Sequence, residues 1–173
     1  MTQRTAVAAM ACLLAASLLA PSTTWGQVAT WPERDSFWLA LGGGVGSEDI
    51  AASMNGSYQF GANLISLRAT ATAGLFDDGF NDYAVLYGRA TRPAGKRFHA
   101  SGSLGVGLVD GCRTNGFLGG CRDISTVVGL PLELQAFWRP GSLVGLGLYG
   151  FANFNAAQSF AGLTLGLQLG RLR

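Results

Sequence analysis

The sequence predicts an all-β fold, an antiparallel up-and-down transmembrane β-barrel of about eight strands, on three observations. Apolar residues recur at every second position through most of the chain after residue 36. The polar connections between those runs alternate between short turns and mostly longer loops. Only 13% of the 173 residues are charged, while 49% are hydrophobic and 26 are Gly. A water-soluble domain carries about 25% charged residues, so much of the outside does not face water. The same composition excludes a disordered tail and a coiled coil, which need charge. The net charge of +2 is too small to imply nucleic acid or another polyanion.

The N-terminus accounts for part of the hydrophobic excess. Met1 to Thr5 carry one Arg, Ala6 to Ala20 are apolar, and Pro21 to Gly26 break the run with small residues at Thr24 and Gly26. An apolar run this short falls below the about twenty residues of a spanning helix and matches a secretory signal core. Residues 1–26 are therefore expected to be a cleaved signal peptide, 27–36 a short periplasmic segment, and 37–173 the barrel. Cys12 lies inside the signal core and lacks a Leu-led lipobox.

Each strand is justified by its two faces. Strands one (about Phe37 to Gly46), two (Ala51 to Phe60) and four (Tyr83 to Thr91) alternate least cleanly. Strand three sets Ile65, Leu67, Ala69, Ala71 and Ala73 against Ser66, Arg68, Thr70 and Thr72. Strand five sets Ala100, Leu104, Val106 and Leu108 against His99, Ser101, Ser103, Gly105 and Gly107. Strand six sets Val128, Leu130, Leu132 and Leu134 against Gly129, Pro131, Glu133 and Gln135. Strand seven points Val144, Leu146 and Leu148 outward and Tyr149 inward, and strand eight alternates Leu163, Leu165, Leu167 and Leu169 with Thr164, Gly166 and Gln168.

Short turns follow strands two, four and six (Gly61 to Asn63, Arg92 to Arg97, Arg139 to Ser142). The connections after strands one, three, five and seven are Gly46 to Ile50, Phe76 to Asp82, Asp110 to Asp123 and Asn155 to Ser159. An even strand count puts both termini with the short turns, the periplasmic side of such a barrel. Charge divides the same way: the outer loops hold Glu48, Asp49, Asp77, Asp78, Asp82, Asp110 and Asp123 against Arg113 and Arg122, and the inner turns and C-terminus hold Arg92, Lys96, Arg97, Arg139, Arg171 and Arg173. Aromatics collect at strand ends, with Trp31, Phe37, Trp38, Phe60, Phe98, Phe137 and Trp138 on the inner side and Phe76, Phe80, Tyr83, Phe151, Phe154 and Phe160 on the outer. Two interfacial belts are expected from them.

On these strands, turns and belts, Phe37 to Arg173 resembles the small eight-stranded outer-membrane proteins of Gram-negative bacteria, the class of the OmpA-type membrane domain and the OmpX-like adhesion and resistance proteins. The resemblance rests on pattern, and the chain departs from the aromatic C-terminal residue usual in that class, ending Gly170-Arg-Leu-Arg173. It implies an outer-membrane location and a structural or surface-interaction role without catalysis. The expected partners are outer-membrane lipid and lipopolysaccharide, with the barrel-assembly machinery during insertion. A monomer without cofactor, metal or nucleic acid is expected.

Several residues stand out within this frame. Cys112 and Cys121, the two cysteines left after signal removal, read as a disulfide closing the longest outer loop. Phe117 and Leu118 sit at its tip as an apolar contact surface. Inside the barrel, taking Phe76 to Asp82 as a hairpin loop places Arg68 opposite Arg89, which requires an acid. Glu133 is then the expected partner, in a lumen cluster with Tyr87 and Gln135. Asp77, Asp78 and Asp82 form an acidic outer loop that is either solvated or a seat for a divalent cation. His99, with Ser101 on its face, is the sole His, but it lies at the periplasmic end, away from the leaflet where lipid A is modified. A lipid A-modifying barrel enzyme, a small channel, and a soluble periplasmic lipocalin-like binding barrel are the alternatives. The last would require apolar side chains inside and charges outside.

Overall fold

The computed structural model describes residues 35–47, 49–74, 79–91, 97–114 and 121–171, and at 49, 113, 114, 121, 122 and 124 the backbone alone. The expected signal peptide, Asp77, Asp78, Phe117 and Leu118 lie outside the described residues. The strands are β1 (Ser36–Gly46), β2 (Asp49–Phe60), β3 (Asn63–Ala73), β4 (Gly79–Ala90), β5 (Phe98–Thr114), β6 (Cys121–Trp138), β7 (Val144–Asn155) and β8 (Phe160–Arg171). Each pairs antiparallel with the next, and β8 returns to β1 from Phe37↔Arg171 to Gly46↔Gly162, closing an eight-stranded barrel. Closure leaves no free edge along the paired staves, which a strand-built structure in lipid requires.

The period-two pattern resolves into an inverted barrel. Leu39, Leu67, Val85, Val106, Leu130 and Leu165 all face outward and are exposed, whereas Asn55, Arg68, Asp82, Glu133, Thr164 and Gln168 are buried inside. On β5 the outward positions run from Phe98 to Leu108 before Asp110 interrupts them. That run rises about 33 Å along the strand, or about 25 Å along the axis at a tilt near 40°, the height of a hydrocarbon band.

The β2–β3 turn is held by Gly61 at φ 60°, a conformation costly for any residue with a Cβ. The Gln59 side-chain amide donates to the Gly61 carbonyl at 2.9 Å. Between β5 and β6 the ladder skips from Leu104↔Leu132 to Gly107↔Gly129, across the stretch containing Pro131, which has no N–H to donate. A bulge between Val109 and Gly111 follows.

Four expectations are corrected by the pairing. First, β4 begins at Gly79, because Phe80 and Asp82 continue the inward alternation of Ala84 and Leu86. Arg68 therefore faces Ala84, and Arg89 faces Asn63 near the turn-bearing end. Second, Asp82 belongs to the lumen and not to an outer loop. Third, Tyr87 points outward, where its hydroxyl donates to the Asn63 side-chain oxygen at 2.9 Å.

Fourth, the segment Asp110 to Asp123 is largely paired strand. Cys112 faces Asp123 and Thr114 faces Cys121, whereas β7 does not join β6 before Gly129↔Asn155. On that side β6 thus rises beyond β7, whereas β5 stays paired with β4 as far as Gly79↔Cys112. The aromatics likewise divide by face. Phe37, Phe98 and Trp138 point outward at the turn-bearing end, but Trp38 and Phe137 are buried there, and Phe80, Phe151 and Phe160 fill the opposite end of the lumen.

Candidate functional site

Among the described residues the polar lumen gathers charged and hydrogen-bonding side chains from most of the staves. Arg68 projects inward from β3 because it shares a face with Ser66 and Thr70. Its guanidinium forms a fully buried ion pair with Asp82 of β4 and donates from Nη1 to the Leu132 carbonyl at 2.8 Å. The Phe151 ring lies 5.8 Å from its Cζ, within cation–π range. The Asp82 carboxylate also accepts from Asn153 Nδ2 at 2.9 Å and from the Thr70 hydroxyl at 3.3 Å. Both members of the pair thus have further partners, the condition under which a buried ion pair is tolerated.

Glu133 is not the counter-charge of Arg68 but the centre of a second network. Its carboxylate accepts from Asn55 Nδ2 at 3.2 Å, from Ser103 Oγ at 3.4 Å, from the Gln135 amide and from the Tyr149 hydroxyl. Asn55 Nδ2 also reaches Tyr149 Oη at 3.1 Å. Four donors from four different strands converge on this one carboxylate. Smaller cross-strand hydroxyl pairs, Ser53 with Thr164 and Ser57 with Ser66, each at 2.9 Å, continue the polar packing.

The two ends of the lumen are closed differently. At the end bearing the loops, Phe80 and Phe160 stack at 6.0 Å and Phe151 meets Phe160 edge-on at 6.4 Å. At the end bearing the short turns, His99 Nε2 lies 3.1 Å from Gln59 Oε1, with its ring edge-on to Trp38 at 5.3 Å. Ser101 Oγ makes no hydrogen bond to His99 or to any other protein group. Among the described residues His99 therefore has neither a hydroxyl to activate nor an acid to orient it, the geometry nucleophilic catalysis requires. Among the described residues no three His, Cys, Asp or Glu gather as a metal site.

Of the residues singled out in the sequence, the structure brings Arg68, Glu133 and Gln135 into the lumen and places Arg89 and Tyr87 outside it. Cys112 is disulfide-bonded, and the backbone of Cys121 pairs with that of Thr114 at the base of the ribbon tip. Asn55, Asp82, Ser103, Tyr149 and Asn153 complete the networks. Asp82 was hidden by its neighbours Asp77, Asp78 and Gly79, which read as loop, although Phe80, Asp82, Ala84 and Leu86 keep strict alternation.

No protein-family model matches the chain, and no curated protein matches it. Several solved structures share its architecture. The N-terminal β-barrel domain of Pseudomonas aeruginosa OprF superimposes with a TM-score of 0.61 at 8% identity, over 80% of this chain and 99% of that one. Ail, the attachment invasion locus protein of Yersinia pestis, gives 0.55 at 14% identity over 81% and 99%, in a complex with the heparin analogue sucrose octasulfate. Neisserial surface protein A gives 0.52 at 12% identity over 78% and 94%. The fold of this chain is that of the small eight-stranded outer-membrane barrels.

Proposed function

We propose that the chain is an outer-membrane β-barrel of a Gram-negative bacterium, exported by a cleaved signal peptide, with a structural or surface-interaction role and no catalysis of its own. The inversion of the barrel carries this reading. Leucines and valines cover the outside over about 25 Å, while Arg68, Asp82 and Glu133 are buried within. A soluble lipocalin-like barrel has the reverse arrangement and would leave this exterior in water.

The lumen favours a closed scaffold over a channel, because an eight-stranded barrel is filled by its own side chains and here they interlock. The unactivated His99 favours a scaffold over a lipid A-modifying enzyme. The chain functions as a monomer in contact with lipid and lipopolysaccharide, after delivery by the barrel-assembly machinery.

The end of the β5–β6 ribbon, restrained by a Cys112–Cys121 disulfide, is the contact surface, and Phe117 and Leu118 in the connecting sequence are its apolar contacts. A restrained ribbon loses less conformational entropy on binding. The surface roles in the printed names of Ail and Neisserial surface protein A support this assignment by analogy of fold.

Fractionation of the expressing cell tests the reading. The folded chain is expected in the outer-membrane fraction, migrating faster in detergent gels before boiling than after. Recovery as a soluble periplasmic protein would overturn it. Stepwise conductance of the wild-type chain in a planar bilayer would replace the scaffold with the channel.

A further inference from the structure

The rim at the turn-bearing end repeats one arrangement around the barrel. On β4, Tyr87 faces outward and Arg89, two residues on, continues the same face at the end of the strand. On β8, exposed Arg171 pairs in register with outward Phe37 of β1. At the start of β5, exposed Arg97 precedes Phe98, which pairs with outward Trp138 of β6. The backbone N–H of Arg139, next after Trp138, donates to the Arg97 carbonyl at 2.7 Å.

Of three exposed or half-exposed arginines, Arg89 and Arg97 thus lie just beyond an outward aromatic and Arg171 level with one, where the apolar band ends. Among the described residues the acid at this rim is Asp35, whose carboxylate accepts from the Tyr58 hydroxyl. The opposite rim has different chemistry. There, among the described residues, the outward positions past the band include Asn81, which donates to Asp110 at 3.1 Å, and Thr126. An aromatic at the interface fixes the depth of its neighbours at the headgroups, and an arginine at that depth meets phosphate with matched donor geometry.

We propose that this rim is a binding surface for the phosphate groups of anionic glycerophospholipids in the leaflet facing the short turns, with Arg89, Arg97 and Arg171 as the phosphate contacts. The proposal deepens the reading of the chain as a membrane barrel and rests on it. A phosphatidylglycerol headgroup carries net negative charge and satisfies the rim, whereas the choline of phosphatidylcholine presents a cation to the same guanidinium groups.

The test uses the full mature chain, folded into nanodiscs of phosphatidylcholine containing a minor share of phosphatidylglycerol, with the lipids retained by the protein counted by native mass spectrometry. Retained lipid should be enriched in phosphatidylglycerol over the bulk disc. The enrichment should fall by about fivefold for each arginine removed in the series R89Q, R97Q and R171Q, the factor expected of one basic side chain at an anionic surface. Added sodium chloride should weaken it in the wild-type chain, an arm that needs no variant to fold.

Enrichment that is absent, insensitive to salt or unchanged in the triple variant would overturn the proposal. Failure of the chain to enter the discs at all would instead overturn the membrane reading.

Discussion

Arg68 and Asp82 sit on the adjacent strands β3 and β4, two residues out of register, and form a buried ion pair inside the lumen. Thr70, the register partner of Asp82, and Asn153 of β7 hold the carboxylate from two other directions. Removing one member therefore strands the other. The D82N variant leaves the guanidinium without a counter-charge and should lower unfolding stability by about 3–5 kcal/mol, read as a shift in the urea midpoint in detergent micelles. The double variant R68M/D82N should recover most of that loss, because a methionine needs no partner. An unshifted midpoint in D82N would mean that the pair does not hold the barrel.

The second network makes a separate prediction. Glu133 gathers donors from β2, β5, β6 and β7, and the Tyr149 hydroxyl is among them. Loss of one hydrogen bond to a buried charged group costs about 1.5–3 kcal/mol, so Y149F should destabilise by that amount. E133Q should do comparable damage, and the double variant should cost less than the sum of the two, since both remove the same interaction. Strict additivity in the four-variant cycle would show that the two side chains act independently.

These two networks mark where the sequence was and was not transparent. The fold class, strand count and inward faces of β3, β5, β6, β7 and β8 were legible because period two repeats over many residues, and each strand has only two faces. The pairing of β3 with β4 was not, because register depends on where a hairpin loop begins. The run Asp77-Asp78-Gly79 disguises the start of β4. That misplacement moved Arg89 into the lumen and Asp82 out of it, and so assigned Arg68 the wrong acid. Glu133 and Gln135 were placed inside by their own alternation, which does not depend on the hairpin. The aromatics at the loop-bearing end show a related limit: position near a strand end does not say which face a ring takes, and Phe80, Phe151 and Phe160 turned inward.

Those three rings predict the behaviour of the lumen. Phe80 is buried against Phe160 above the level of Arg68 and Asp82. Its truncation in F80A should cost about 3–5 kcal/mol through the cavity it leaves. It should not open a conducting path, because the ion pair and the Glu133 network still cross the lumen beneath it. Planar-bilayer recording of refolded F80A is expected to show no discrete steps. Steps in F80A but not in the wild-type chain would make the phenylalanines, and not the polar networks, the barrier.

The glycines separate by face in the same way and give a controlled comparison. Gly105 points into the barrel opposite Leu86, and a Cβ there would fall 1.9 Å from the Val85 carbonyl oxygen and 2.8 Å from the Leu86 Cα. Backbone cannot yield as a side-chain tip can, so G105A should cost about 3 kcal/mol or more by forcing β4 and β5 apart. Gly43 lies on the outward face of β1 with nothing within 4 Å of its missing Cβ. G43A adds a methyl group to the lipid-facing surface and should leave the urea midpoint unchanged or slightly raised. Both replacements make the same chemical change in the same strand conformation, so intrinsic propensity would move them together. A large loss in G105A beside none in G43A assigns the cost to the close approach of β4 and β5, whereas equal losses would remove that close approach as a reason for glycine at position 105.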